Sequence, residues 1–90
     1  MPTNIETEVR RFVVDNFLFG QEDRLDDDAS FLETGVIDST GVLELVGFLE
    51  STYGITLADS ELVPENLDSV ARVVRFVRRK LAEGDRRLAG

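Results

Sequence analysis

Asp38 and Ser39 are the residues whose types and position could support chemistry. They stand at the start of a predicted helix, after a loop that contains glycine, so the serine hydroxyl is expected to be exposed. The free N–H groups and the dipole of a helix N-terminus favour an anion at this place. An ordinary helix-capping serine has the same local pattern, so the pair alone does not decide between a capping role and a chemical one.

The composition limits what Ser39 can do. The chain has no histidine and no cysteine, so neither a Ser-His-Asp nor a Cys-His mechanism can be built, and disulfides and thiolate metal sites are excluded. The run Asp26-Asp27-Asp28 suggests a calcium site. An EF-hand loop that began at Asp26 would need glycine at its sixth position and glutamate at its twelfth, but the chain has Phe31 and Ile37 there. We therefore expect no catalytic residues and no metal site. Ser39 is expected to accept a group rather than to attack a substrate.

Three amphipathic helices are predicted to position the serine, over residues 4–18, 39–53 and 69–81. Their inward stripes consist of Ile5, Val9, Phe12, Val13 and Phe17, then Val42, Leu45, Val46, Leu49 and Tyr53, then Val70, Val73, Val74, Val77 and Leu81. Thr3 and Glu6 have the spacing of a capping box for the first helix, and Gly20 is expected to end it. Asp38 is the predicted N-cap of the second helix, which should stop at Gly54. Asp68 or Ser69 should cap the third helix, whose basic end at Arg78-Arg79-Lys80 suits the helix dipole.

Shorter segments join these helices. Residues 20–38 are predicted to form a loop, anchored to the core by Leu25, Phe31 and Leu32, and one helical turn is expected from Pro64 to Leu67. No strand-like alternation or internal repeat competes with this pattern. The expected fold class is all-α, a small irregular four-helix bundle with three long helices and one short helix. We expect one domain over residues 1–82 and a flexible tail over residues 83–90.

The charge is unevenly distributed. The net charge is −8; residues 1–67 hold 15 acids and 3 bases, whereas residues 68–90 hold 3 acids and 7 bases. This acidity argues against nucleic-acid binding and suits docking on basic partner surfaces, although it also serves solubility. The exposed arginines of the last helix are interpreted as a solvated face rather than as a membrane or nucleic-acid site. With no leader or transmembrane pattern, we expect a cytoplasmic monomer without a membrane role.

The whole pattern resembles the acyl carrier protein family, whose phosphopantetheine attachment site opens the second helix of the bundle. The matching segments are Phe31-Leu32-Glu33-Thr34-Gly35, Asp38-Ser39, Glu44-Leu45-Val46, Tyr53-Gly54-Ile55 and Asn66-Leu67-Asp68-Ser69. An Asp-Ser pair alone is a weak signal, but at this helix start and with these flanks it is a strong one.

The resemblance implies a carrier that has no catalytic activity of its own. A 4′-phosphopantetheine arm, donated by coenzyme A, would be attached to Ser39, and Asp38 would assist recognition by the phosphopantetheinyl transferase. The arm would hold an acyl or aminoacyl group as a thioester, loaded by an AMP-forming acyl or aminoacyl ligase or by an acyltransferase. Positions implied to contact partners are Thr40, Leu43, Glu44, Gly47, Glu50 and Ile55. Leu43 lies off the inward stripe, which independently favours an exposed role.

Several positions depart from the family pattern. Thr40 stands where an apolar residue is usual, Gly41 and Gly47 place two glycines in one helix, and Phe48 occupies space that an acyl chain could fill if it points inward. The run Gly35-Val36-Ile37-Asp38-Ser39 is more similar to free-standing aminoacyl and D-alanyl carriers than to fatty-acid carriers. These departures favour a short acyl or aminoacyl cargo.

Two other classes of function remain open from the sequence. The first is an unmodified helical interaction domain that docks through the second helix, which would bind its partner equally well with Ser39→Ala. The second is a small hydrolase or transferase that uses Ser39 directly, which the lack of histidine and cysteine disfavours.

Overall fold

A computed structural model describes the backbone of residues 4–89 and the side chains of residues 4–83. It contains five α-helices: α1 (Ile5–Phe17), α2 (Phe31–Thr34), α3 (Ser39–Tyr53), α4 (Pro64–Leu67) and α5 (Val70–Ala89). Single 3₁₀ turns lie at Glu22–Arg24 and Asp59–Glu61, and residues 4–89 form no strand. The all-α bundle with three long helices is therefore confirmed. Helix α2 lies inside the segment that was expected to be a loop.

Helix α1 begins at a polar cap and ends at Phe17, three residues before Gly20. The Asn4 side chain accepts a hydrogen bond from the Thr7 N–H at 2.8 Å, so Asn4 is the N-cap. The predicted partner in a capping box, Thr3, lies outside the described residues. At the other end, the Gly20 N–H donates to the Val14 carbonyl at 3.0 Å, and Gly20 has a φ of +83°. The left-handed backbone there suits glycine and ends the helix near the predicted position.

The two long helices α1 and α3 bury most of the stripes that periodicity predicted. Val9 and Val13 of α1, and Leu45 and Leu49 of α3, have no exposed surface. The remaining predicted members, Ile5, Phe12, Phe17, Val42, Val46 and Tyr53, are half-buried against the same core. Helix α3 ends at Gly54, which has a φ of +67°.

Helix α5 provides the third wall of the core and is longer than predicted. Ser69 is buried, and its Oγ accepts a hydrogen bond from the Arg72 N–H at 3.2 Å, which caps the helix start. The predicted inward residues Val70, Val73 and Val77 are fully buried. The division of the chain into residues 1–82 and a flexible tail over residues 83–90 remains a prediction.

Lys80 has a different role from the one predicted. The helix continues to Ala89, so residues 78–80 do not form its basic end. The Lys80 side chain is buried, with 7% of its surface exposed. Its Nζ donates to Glu61 at 3.0 and 3.1 Å. Because an unpaired buried ammonium would be costly, this ion pair fixes the turn before α4 against α5.

The segment between α1 and α2 is held by contacts to α1 and to the start of α5. Arg10 of α1 forms an ion pair with Asp27. The Asp27 carbonyl accepts from the Ala71 N–H at 3.0 Å, and the Phe31 N–H donates to the Asp68 carbonyl at 2.7 Å. These bonds explain how so long a connection is ordered.

Three residues were predicted to anchor residues 20–38 to the core, and two of them, Leu25 and Phe31, are buried. The prediction that the third, Leu32, lies in the core was wrong, since half of its surface is exposed.

Among the described residues, no helix is both long enough and apolar enough to cross a membrane.

Candidate functional site

Ser39 is the first residue of α3, and its side chain is exposed, as predicted. The Asp38 Oδ1 atom accepts a hydrogen bond from the Gly41 N–H at 2.7 Å, which confirms Asp38 as the N-cap. The first intrahelical bond joins the Val42 N–H to the Asp38 carbonyl at 3.0 Å. The N–H groups of Ser39 and Thr40 precede that bond and point out of the helix end. They therefore favour an anion bonded to the Ser39 Oγ.

The structure distinguishes Ser39 from two other serines that follow an aspartate. Ser69 follows Asp68 but is only 2% exposed, and its hydroxyl caps α5. Ser60 follows Asp59 and is exposed, but it lies in a single 3₁₀ turn. Of the three, only Ser39 combines an exposed hydroxyl with the start of a long helix.

Gly41 lies next to the site because two side chains pack directly on the α3 backbone. A Cβ atom at Gly41 would lie 2.8 Å from Phe17 Cε1 and 2.9 Å from Ile37 Cγ2. Both distances are shorter than a carbon–carbon contact allows. The glycine thus permits the end of α1 and the residue before Asp38 to approach the first turn of α3. One of the two unusual glycines in this helix is explained by close packing.

An apolar groove of about 300 Å³ opens beside Ser39, between α2, α3 and α4. Its lining consists of Ser39 and Asp68 together with Leu32, Val42, Leu43, Leu62, Val63, Pro64 and Leu67. Leu43 is 64% exposed and Leu32 is 50% exposed, so both side chains border the mouth of the groove. The sequence predicted an exposed role for Leu43 but not for Leu32.

Asp68 fixes the α2 wall of this groove. Its carboxylate accepts a hydrogen bond from the Ser30 hydroxyl and a second from the Leu32 N–H at 3.1 Å. The Ser30 Oγ in turn accepts from the Glu33 N–H at 3.1 Å and caps α2. A helix of four residues cannot hold itself in place. The position of Leu32 therefore depends on Asp68 and on the buried Phe31.

Four of the predicted partner residues lie on one exposed face of α3. Thr40, Leu43, Glu44 and Gly47 are exposed and are spaced as neighbours on a helix surface. A Cβ atom at Gly47 would meet no atom within 4 Å. We call this set the α3 stripe.

The other two predicted partner residues do not belong to the stripe. Glu50 is half-buried, and its Oε2 accepts a hydrogen bond from the Leu57 N–H at 2.9 Å. Ile55 is buried, with 9% of its surface exposed. Both side chains have intramolecular contacts, so we leave them out of the docking surface that is proposed below.

The chain segment that forms the site is acidic, and the exposed Arg72 that follows it donates to the Glu65 carbonyl at 3.4 Å. Residues 25–71 contain 11 Asp and Glu residues and no Lys or Arg. Glu44 is the single ionisable residue among the exposed positions of α3, and Glu33, Asp38 and Glu65 are exposed on the adjoining segments. The expected acidic docking surface is therefore spread over several elements rather than concentrated on α3.

Aromatic side chains of α1 and α3 contact one another. Phe48 stacks on Phe12 with ring centroids 4.3 Å apart, and the Tyr53 hydroxyl donates to Glu8 at 2.9 Å. Burial, followed by this hydrogen bond, raises the pKa of Tyr53 well above 10.0. Phe48 thus points toward α1 and is half-buried there.

An exposed serine at a capped helix start, beside an apolar groove in a small helical bundle, is the arrangement of a carrier domain. Residues 18–77 match the family model described as the phosphopantetheine attachment site. The chain belongs to this family, which confirms the resemblance found in the sequence.

Named relatives agree with the family match. An acyl carrier protein of Akkermansia muciniphila is 38% identical over 74 residues, which cover 82% of this chain and 89% of the relative. A probable acyl carrier protein of Serratia sp. is 28% identical over 75 residues, covering 83% and 86%. A D-alanyl carrier protein of Abiotrophia defectiva is 30% identical over 59 residues, covering 66% and 75%.

The protein is therefore a carrier that holds acyl groups through a covalently bound 4′-phosphopantetheine. Its family consists of carriers that are, in general, not catalysts. The residues present fit such a group, because an exposed hydroxyl lies beside a groove whose lining is mostly apolar.

Proposed function

We propose that Ser39 is the residue to which the 4′-phosphopantetheine is attached. The observation that carries the proposal is the exposed hydroxyl at the capped N-terminus of α3, with the apolar groove beside it. The alternative Asp-Ser pairs lack one or both features, since Ser69 is buried and Ser60 lies in a single turn.

The chain itself supplies a hydroxyl for attachment, N–H groups that stabilise a phosphodiester, and an apolar groove. Asp38 fixes the backbone of the first turn of α3, from which the Ser39 side chain is exposed. The N–H groups of Ser39 and Thr40 stabilise a phosphodiester by roughly 0.3–1 kcal/mol at an exposed site. Leu32 and Leu43 border a groove that can hold the apolar part of the arm. When bound, the phosphopantetheine supplies the thiol that carries the acyl group and that this cysteine-free chain lacks.

The proposed partners are a phosphopantetheinyl transferase and a loading enzyme, either an AMP-forming acyl or aminoacyl ligase or an acyltransferase. The α3 stripe is the proposed docking surface, since its side chains are exposed. The absence of Lys and Arg from residues 25–71 favours partners with basic surfaces. The same acidity disfavours nucleic acid, and we propose a cytoplasmic monomer that has no catalytic activity itself.

The proposed cargo is a short acyl or aminoacyl group. Phe48 packs on Phe12 of α1 and does not line the groove between α2, α3 and α4, so that groove is free to hold cargo. The similarity to D-alanyl carrier proteins supports the same choice.

Intact-mass measurement tests the attachment. Wild type is incubated with coenzyme A, Mg²⁺ and a broad-specificity phosphopantetheinyl transferase, in parallel with Ser39→Ala and with Ser60→Ala. Ser60→Ala is the matched control, because it removes an exposed serine that also follows an aspartate. We expect one phosphopantetheine on wild type and on Ser60→Ala, and none on Ser39→Ala. Modification of Ser39→Ala would refute the assignment, and an unmodified wild type would favour a helical interaction domain.

A further inference from the structure

Phe19 is an aromatic residue in an unfavourable setting. It lies just after α1, and 91% of its side chain is exposed. Its φ is +53°, and within residues 4–89 it is the one residue other than glycine with a positive φ. Bulky side chains rarely adopt the left-handed region. Neither burial nor backbone preference therefore explains a phenylalanine at this position.

The packing of α1 on α3 places Phe19 at the same end of the bundle as Ser39. Phe17 precedes Phe19 by two residues, and its ring packs against Gly41. Gly41 in turn follows Ser39 by two residues in the first turn of α3. Phe19 and Ser39 are therefore each two residues along the chain from the contact between Phe17 and Gly41.

The other large exposed apolar residues lie at the same end. Among the residues whose side chains are described, three large hydrophobic residues are strongly exposed: Phe19, Leu32 and Leu43. Leu32 and Leu43 line the groove together with Ser39. Single exposed hydrophobic residues are ordinary, but two beside one exposed serine, with a third following the Phe17–Gly41 contact at the same end of the bundle, indicate a surface that a partner covers.

We propose that Phe19 is a docking residue for the phosphopantetheinyl transferase, inserting its ring into an apolar pocket bordered by basic side chains. The inference rests on the proposed attachment at Ser39. The transferase must bring its reacting groups to the Ser39 Oγ itself, whereas enzymes that act on the distal thiol can remain further away. A standard interface takes roughly 20–30 residues from each partner, and the Phe17–Gly41 contact is the observation that brings Phe19 into one centred on Ser39. Basic residues around the pocket complement the 11 acids of residues 25–71.

The first experiment measures transferase kinetics on unmodified Phe19→Asn, Phe19→Tyr and wild type, with coenzyme A as donor. Asparagine tolerates a positive φ, so Phe19→Asn should unfold at a urea concentration no lower than wild type. We expect its KM to rise about tenfold with little change in kcat, because an apolar contact to the partner is lost. Phe19→Tyr keeps the ring and should retain the wild-type KM.

The second experiment observes the position directly. The natural chain has no tryptophan, so Phe19→Trp labelled with 5-fluorotryptophan gives one ¹⁹F signal from the carrier. Adding unlabelled transferase should shift or broaden this signal. Thr56→Trp is the control, because Thr56 is exposed and follows the opposite end of α3; its signal should change less.

The outcomes separate this inference from the proposed function. If wild type is modified at Ser39 but Phe19→Asn keeps the wild-type KM, the role of Phe19 is refuted and the attachment site stands. An unchanged ¹⁹F signal at position 19 under conditions that modify Ser39 has the same meaning. If a transferase that modifies a control carrier leaves wild type unmodified, both proposals fail.

Discussion

Replacing Gly41 or Gly47 of α3 with alanine should change the stability of the protein in opposite directions. Both glycines lie inside the helix and neither has a positive φ. Alanine is preferred over glycine in a helix interior by about 1 kcal/mol. That gain is the same at both positions. The difference in unfolding free energy between Gly41→Ala and Gly47→Ala therefore reports the space around each new Cβ atom.

The structure gives the size of that difference. At Gly47 a Cβ atom meets nothing within 4 Å, so the full gain of about 1 kcal/mol should appear. At Gly41 the Cβ atom would lie 2.8 Å from Phe17 Cε1 and 2.9 Å from Ile37 Cγ2. Ile37 is 1% exposed and cannot move freely. Overpacking of this kind costs about 1–3 kcal/mol, so Gly41→Ala should lose up to about 2 kcal/mol in total.

Urea unfolding followed by circular dichroism at 222 nm measures both variants against wild type. Gly47→Ala should also raise the melting temperature by about 4–8 °C, as expected for 1 kcal/mol in a domain of this size. The reasoning is refuted if Gly41→Ala stabilises the protein as much as Gly47→Ala does. If the α3 stripe is the docking surface, Gly47→Ala should also raise the KM of a partner enzyme despite its higher stability.

Three further predictions concern other contacts. The Ala58 N–H, and then Lys80, hold the pKa of Glu61 below 4.5, so the stability that results is present above pH 4.5 and is lost as the pH falls through the folded-state pKa. Urea midpoints measured from pH 7 to pH 3 should therefore fall less in Glu61→Gln than in wild type, and an equal fall would contradict this. The raised pKa of Tyr53, the sole tyrosine, predicts stability that falls as the pH rises above 10.0, and absorbance titration at 295 nm should show phenolate forming well above that pH in the folded chain. Asp68→Ala removes two hydrogen bonds to α2 and should cost about 1–2 kcal/mol; hydrogen exchange should quicken first at residues 31–34, and equal quickening in the control Asp59→Ala would contradict this role.

The start of α3 could be predicted from the sequence because its determinants are local. An aspartate before an amphipathic stripe specifies the cap, and the hydrogen bond from the Gly41 N–H to Asp38 confirms it. The end of α3 at Gly54 is likewise local, since its left-handed backbone suits glycine, and Gly20 follows the end of α1 by three residues. The exposed hydroxyl of Ser39 follows from the same features.

The rest of the site depends on contacts between distant parts of the chain. Leu32 was expected in the core, but Asp68, 36 residues later, binds its N–H and fixes α2 with that side chain half exposed. Helix α2 has only four residues, which is too few for periodicity to reveal. Glu50 was predicted to belong to the docking surface through the family resemblance, and the hydrogen bond that it accepts from Leu57 has no local sequence signal.

Burial on α3 and α5 was also only partly visible in the sequence. Phe76 lies off the predicted inward stripe of α5 yet is 2% exposed, and Lys80 is buried because Glu61 neutralises it. The close approach at Gly41 could not be predicted, since a glycine has no side chain to show which face of the helix is packed.

The measurement that tests the central claim most directly locates the phosphopantetheine on the chain. Wild type modified by the transferase is digested, and the peptides are fragmented in a mass spectrometer. The account predicts a single phosphopantetheine, on Ser39, with none on Ser30, Ser51, Ser60 or Ser69. A phosphopantetheine on any other residue would contradict the assignment of Ser39 and the docking surface built around it.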